Sequence, residues 1–161
     1  MDEFGKFYNK VLKFLSYRPR SVEEVRKNLL NSRGRFNSAK KNTTPEIAEK
    51  IISKLKEYKF IDDKEFVKWW IEQRTNYKPR SLRLIKMELG QKGISKDLIE
   101  EVMEGLENKV DDLASAKKLI ERKLPRYKGL DRDKKFQKVA RYLSSKGFNY
   151  DIIKEIFKYV G

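Results

Sequence analysis

Three carboxylates fall within four positions in Ile61-Asp62-Asp63-Lys64-Glu65-Phe66, and another acidic pair follows Val110 at Asp111-Asp112. Acids this close could hold a divalent cation for phosphodiester hydrolysis. Such a centre needs carboxylates converging from separate elements with an outer shell to orient them, which a linear cluster rarely supplies. The structural reading makes Asp62 a helix cap answered by Glu65 at the third position, with Phe66 packing inward. Recurrence of the acidic pair after Val110 favours it. The 161 residues include no His and no Cys. Ser-His-Asp and Cys-His nucleophiles, the usual zinc sites, His- or Cys-held haem and disulfides are thereby excluded. No catalytic residue, metal or cofactor is expected.

The other chemistry the side chains offer is anion binding. Lys and Arg number 39 against 24 Asp and Glu, a net charge of +15 with a pI near 9.8. The excess is uneven: residues 1–60 carry 15 basic and 7 acidic groups, 61–110 carry 10 of each, and 111–161 carry 14 and 7. Two basic ends flank a neutral middle, pointing to a polyanionic partner.

Arg18-Pro19-Arg20-Ser21 and Lys78-Pro79-Arg80-Ser81 each set cations beside a helix start, where they could grip a phosphate or an acidic group. Alternatively, each is a Pro-stiffened turn whose Ser caps the helix while the cations are solvated. Arg83 would extend such a surface. Arg33, Arg35, Lys40 and Lys41 lie in a polar stretch that reads as a mobile loop or as a DNA-contacting arm. Arg126, Tyr127, Lys128, Arg132, Lys134 and Lys135 mix cations with one aromatic, which could stack on a base or pack on a neighbouring helix. Trp69 and Trp70 are adjacent and cannot share one narrow helix face; one is expected in the core and the other at a seam between repeats.

The elements that would carry these groups form an internal repeat. After each Pro-Arg-Ser comes an apolar i, i+3, i+7 stripe: Val22, Val25, Leu29, then Leu82, Ile85, Leu89, with Phe136, Val139, Leu143 in a third copy. Turns at Lys92-Gly93-Ile94 and Lys146-Gly147-Phe148 place Gly where a helix ends. A further stripe at i, i+4, i+5, i+8 appears three times: Ile47, Ile51, Ile52, Leu55; Leu98, Val102, Met103, Leu106; and Ile152, Ile156, Phe157, Val160. Thr44, Ser95 and Asn149 precede these stripes by three residues as caps, and Glu46, Asp97 and Asp151 put a carboxylate at the positive end of each dipole. Each copy also opens with its own helix, marked by Phe7, Val11, Phe14; Phe66, Trp69, Trp70; and Ala116, Leu119, Ile120. Ser21 with Glu24 reads as a capping box. No strand pattern is present. The expectation is an all-α chain of three tandem three-helix, helix-turn-helix-like repeats over 1–60, 61–110 and 111–161, stacked into an elongated, curved array, with a long basic loop at 33–43 in the first.

Taken together, Ile61-Asp62-Asp63-Lys64-Glu65-Phe66, Pro79-Arg80-Ser81 through Glu88-Leu89, Lys92-Gly93-Ile94 and the opening Arg18-Pro19-Arg20-Ser21 resemble the RecX family over about residues 8–160. Lys78 stands where that family usually has Gly, and the 33–43 loop is longer than usual. The resemblance implies nine helices and a non-enzymatic regulator of the RecA recombinase. Such a regulator binds the RecA–single-stranded DNA filament in its groove and suppresses ATP hydrolysis, strand exchange and filament growth. Asp62, Asp63, Phe66, Pro79, Gly93 and Gly147 are the family-motif positions, taken as mainly structural.

The expected partners are the RecA filament and single-stranded DNA, with duplex DNA as a further candidate. The competing functional reading is a stand-alone helix-turn-helix-like DNA-binding protein, and a carboxylate nuclease ranks below both. The opening Met1-Asp2-Glu3-Phe4-Gly5-Lys6 has no apolar signal core and no window reaches a membrane-span length, so the expectation is a cytoplasmic monomer with no membrane contact.

Overall fold

A computed structural model describes residues 2–30, 43–107 and 109–160. The described residues form nine α-helices and no strand. The helices are α1 Glu3–Tyr17, α2 Val22–Leu30, α3 Pro45–Glu57, α4 Asp63–Asn76, α5 Leu82–Gln91, α6 Lys96–Glu104, α7 Asp112–Lys123, α8 Arg132–Ser145 and α9 Tyr150–Val160, with a 3₁₀ turn at Leu124–Tyr127. No helix among the described residues is long and apolar enough to cross a membrane.

Local chemistry explains where the helices start. Thr44 Oγ1 accepts from the Ile47 amide at 3.3 Å, Ser95 Oγ from Leu98 at 3.2 Å, and Asn149 Oδ1 from Ile152 at 3.0 Å, so the last helix of every repeat carries the expected cap. Pro45 occupies the first turn of α3, where a missing N–H costs nothing. The capping box at Ser21 is reciprocal. The Glu24 amide donates to Ser21 Oγ and the Ser21 amide to Glu24 Oε1, both at 3.1 Å. Gly93 and Gly147 follow α5 and α8 with φ of +81° and +91°, the left-handed backbone the Lys-Gly turns predict.

The chain divides into two compact units: residues 1–69 with 90–99, and 70–89 with 100–161. In the first, Phe7 and Val11 of α1, Val22, Val25 and Leu29 of α2, and Ala48, Ile51, Ile52 and Leu55 of α3 form one buried cluster with Ile61. In the second, Ala116, Leu119 and Ile120 of α7 meet Val139 and Leu143 of α8, Phe148, and Ile153 and Ile156 of α9. Burying each such aliphatic side chain contributes roughly 1.5–3 kcal/mol, which secures these short helices far better than propensity does. Most of the predicted stripe positions on α1, α2, α3, α5, α7 and α8 are buried, whereas Leu98, Met103, Leu106, Ile152, Phe157 and Val160 are half-buried and Ile99 and Ile153 take the fully buried places on α6 and α9.

Two expectations need correction. Neither Trp69 nor Trp70 is fully buried; α4 turns Phe66, Val67 and Ile71 inward instead. Trp69 lies 6.2 Å from the Phe66 ring with the Arg18 guanidinium at 5.8 Å, while Trp70 Nε1 donates to Glu88 at 3.4 Å. The indoles thus flank the buried stripe, a position suited to their size and polar tip. Glu65 does not answer the Asp62 cap. It pairs with Lys68 one turn on, at 3.3 Å, because that ammonium offers an exposed carboxylate a charged partner.

Candidate polyanion-binding site

The acidic motifs are occupied by the backbone. Asp62 Oδ1 accepts from the amides of Lys64 at 2.9 Å and Glu65 at 3.4 Å, and Asp111 Oδ1 from Leu113 at 3.0 Å and Ala114 at 3.3 Å. The second acid of each pair reaches back across the sequence. Asp63 Oδ1 accepts from the Val22 amide and Asp112 Oδ1 from the Leu82 amide, both at 2.8 Å, so each caps the middle helix of the preceding repeat. Burial pushes the Asp63 carboxyl up, partly offset by the Val22 hydrogen bond. Among the described residues no group of three acids is arranged to hold a metal ion.

These caps belong to two junctions of matching plan, one within each unit. In the first, buried Ser21 donates through Oγ to the Lys92 carbonyl at 2.7 Å, and Gly93 closes against the Cβ of Glu23. In the second, the amide of buried Ser81 donates to the Lys146 carbonyl at 3.1 Å, and a Cβ on Gly147 would meet Ser81 Oγ and Leu84 Cβ. Ser21 and Ser81 are thus held by backbone groups within each junction, and Pro79 is buried before Ser81.

The cations of the two junctions have different surroundings. Arg18 donates to both oxygens of Glu24, at 3.3 and 2.5 Å. Lys92 Nζ stands 3.5 Å and Arg20 Nη1 4.0 Å from the same carboxylate, whose side chain is only 12% exposed. Burial would raise the Glu24 carboxyl, but the bonds from Arg18 and the Ser21 amide win and hold it below the usual carboxylate range. Arg20 also lies 3.9 Å from the Phe14 ring centre and donates to the Phe14 carbonyl at 3.3 Å. Glu24 thus gives all three cations of the first junction one shared counter-charge, although burial and then Arg18 still lower the Arg20 guanidinium from its ordinary value against the pull of Glu24.

In the second junction Leu84 stands three residues after the Ser, where Glu24 stands in the first. Arg80 donates to the Pro79 carbonyl at 2.9 Å and Arg83 Nη2 to the Gly147 carbonyl at 3.3 Å. Lys123 and Lys146 approach one ring, Tyr142, at 4.9 and 5.6 Å. Burial, then repulsion from Arg80, Lys123 and Arg74, lowers the Lys146 amine from its ordinary value. Arg74 is held by Glu88 at 2.9 and 3.1 Å. Among the described residues, no carboxylate pairs with Arg80, Lys123 or Lys146.

Lys78 is exposed at this junction, whereas Arg126, Lys128 and Arg132 are exposed on the stretch between α7 and α8 and in the first turn of α8. Arg132 lies 5.6 Å from the Phe157 ring centre, and Tyr127 packs on the cluster of α7, α8 and α9, the packing alternative the sequence offered. Arg33, Arg35, Lys40 and Lys41 lie outside the described residues. Arg74, Lys123 and Lys146 escaped the sequence reading, although Lys146 was visible in the Lys-Gly repeat. The contrast of Ser21-Val22-Glu23-Glu24 with Ser81-Leu82-Arg83-Leu84 was the signal that could have found the site.

Known proteins are similar to this chain in sequence and in fold. The model described as the second three-helix domain of RecX matches residues 62–103, and that of the third matches 110–157. A protein named Regulatory protein RecX from Bacillus subtilis (strain 168) is 32% identical over 152 residues, covering 94% of this chain and 54% of the relative. One of the same name from Finegoldia magna is 31% identical over 160 residues, covering 97% and 72%. The crystal structure of RecX from Lactobacillus salivarius superposes with a TM-score of 0.70 at 27% identity, covering 97% of this chain and 95% of that one. The chain spans about half the length of several curated relatives it matches. With two domain models in register, a relative above 30% identity covered over two thirds of its length, and the same helical fold, this chain belongs to the RecX family.

Proposed function

We propose that this chain is a non-enzymatic regulator that binds RecA–single-stranded DNA filaments and inhibits RecA's ATP hydrolysis, strand exchange and filament growth. The observation that carries the reading is similarity to proteins named Regulatory protein RecX along 94–97% of the chain. Two physical features agree with it. The net charge of +15 suits a partner built on polyphosphate. The acidic motifs, which could have suggested hydrolysis, serve backbone amides at helix starts.

The test is RecA's single-stranded-DNA-dependent ATP hydrolysis on preformed filaments, with this protein titrated well below one copy per RecA. A steep fall in hydrolysis is expected. An unchanged rate, with the protein folded and binding DNA by itself, overturns the reading in favour of a stand-alone DNA-binding protein.

A further inference from the structure

We infer that the second junction receives a phosphate of a single-stranded nucleic-acid backbone, at the place the Glu24 carboxylate fills in the first. This deepens the proposed regulatory reading by locating the nucleic-acid contact, and it rests on that reading for the choice of strand.

The two junctions share one plan. Ser21 and Ser81 are both buried, Asp63 and Asp112 cap the following residue at the same 2.8 Å, and Lys92 and Lys146 each supply a carbonyl to the Ser. Both sites also have an arginine directly before the Ser, Arg20 or Arg80. One carboxylate in the first site answers three cations, Arg18, Arg20 and Lys92. Leu84 leaves the second without that anion, although Arg80, Lys123 and Lys146 gather there. Like charges held together in a partly desolvated place raise the free energy of the empty site, and an incoming anion relieves it. The α5 amides are not the binding groups, since Asp112 and the Lys146 carbonyl already engage that helix start. Side chains hold the anion.

The surroundings favour a strand of phosphates over a single acidic side chain. Lys78 and Arg83 are exposed on the same segment, and Lys118 Nζ lies 3.2 Å from the Asn76 carbonyl, which carries the cationic surface from α7 to the end of α4. Tyr77, beside Lys78, is 63% exposed and presents a face on which a base can stack. Cations following a backbone beside an aromatic platform are the pattern of single-strand binding.

The test is fluorescence anisotropy of a labelled oligothymidylate with the full chain and no RecA, at several salt concentrations. The variants are Leu84→Glu, Leu84→Gln, the double variant Arg80→Ala/Lys146→Ala, and Arg18→Ala. Leu84→Glu supplies the missing anion internally and should weaken binding about tenfold, while Leu84→Gln, of the same shape and uncharged, stays within about twofold of the parent. The double variant should bind about tenfold more weakly and lose about 0.7 or more from the salt slope, the share of one single-strand phosphate. Arg18→Ala should bind like the parent. Because Leu84 is half-buried, helicity and melting are measured for each variant, and the double variant decides if Leu84→Glu does not fold. Parental affinity and salt slope in a folded double variant overturn the inference. So does equal competition by a polyglutamate peptide at matched charge, which assigns the site to an acidic protein segment. Since RecA is absent, failure here leaves the ATPase result standing, and failure of the ATPase test leaves the phosphate site standing.

Discussion

Asp112 accepts a hydrogen bond from the backbone amide of Leu82 at 2.8 Å, thirty residues earlier in the chain. The bond joins the first helix of one repeat to the middle helix of the repeat before it, and Asp63 repeats the arrangement on Val22 at the same distance. Paired acids at the head of α4 and α7 thus have divided duties: the first acid caps its own helix and the second caps a neighbour's.

Replacing Asp112 by Ala should lower stability by about 1–2 kcal/mol, the usual cost of losing a helix cap, with Asp112→Asn losing less because it keeps an acceptor. Chemical denaturation followed by circular dichroism reads this directly. An Ala variant as stable as the parent would show that water replaces the carboxylate without cost.

Gly147 and Gly129 separate two effects, since both have positive φ but only Gly147 is crowded. A Cβ at Gly147 would lie 2.9 Å from Leu84 Cβ and closer still to Ser81 Oγ, whereas nothing lies within 4 Å of one at Gly129. Gly129→Ala should cost about 1 kcal/mol for the left-handed backbone alone, and Gly147→Ala about 1–3 kcal/mol more for overpacking. Equal losses in thermal melts would mean that the second junction yields freely.

Glu24 makes stability depend on pH. Its carboxyl titrates below the usual range in the folded chain, so its stabilisation is complete above the unfolded-state value and is lost as pH falls through the folded one. Glu24→Gln should flatten that part of the acid limb in a pH series of unfolding midpoints. It should also cost about 1–3 kcal/mol at neutral pH, because Arg18, Arg20 and Lys92 lose their shared partner. A variant whose acid limb superimposes on the parent's would remove Glu24 from the linkage.

Arg18 and Arg83 each lie within three residues of a Pro-Arg-Ser motif yet should respond differently. Arg18→Ala breaks a two-pronged pair with Glu24 and should destabilise by about 1–2 kcal/mol. Arg83→Ala loses one 3.3 Å bond to a carbonyl from an exposed side chain and should stay within about 0.5 kcal/mol. Differential scanning calorimetry of the two variants tests the contrast, and the reverse order would contradict the assignment of the first junction as structural.

The amino-acid sequence alone determined the helices, their caps and their buried faces, because those depend on neighbours three or four residues away. Thr44, Ser95 and Asn149 each bond an amide three positions on, and the apolar stripes follow the turn of the helix. The same locality made Ser21 with Glu24 legible as a capping box. Tertiary structure decided what those residues also touch. That Asp63 reaches Val22 across 41 residues, or Ser21 reaches the Lys92 carbonyl across 71, follows from how repeats stack and leaves no periodic trace in the chain. It also decided which cations are neutralised. Arg18-Pro19-Arg20 and Lys78-Pro79-Arg80 look alike as sequence, but a charge is answered or left open by what folds against it. Only the folded chain sets Glu24 among Arg18, Arg20 and Lys92 while gathering Arg80, Lys123 and Lys146 around a junction that has Leu84 instead.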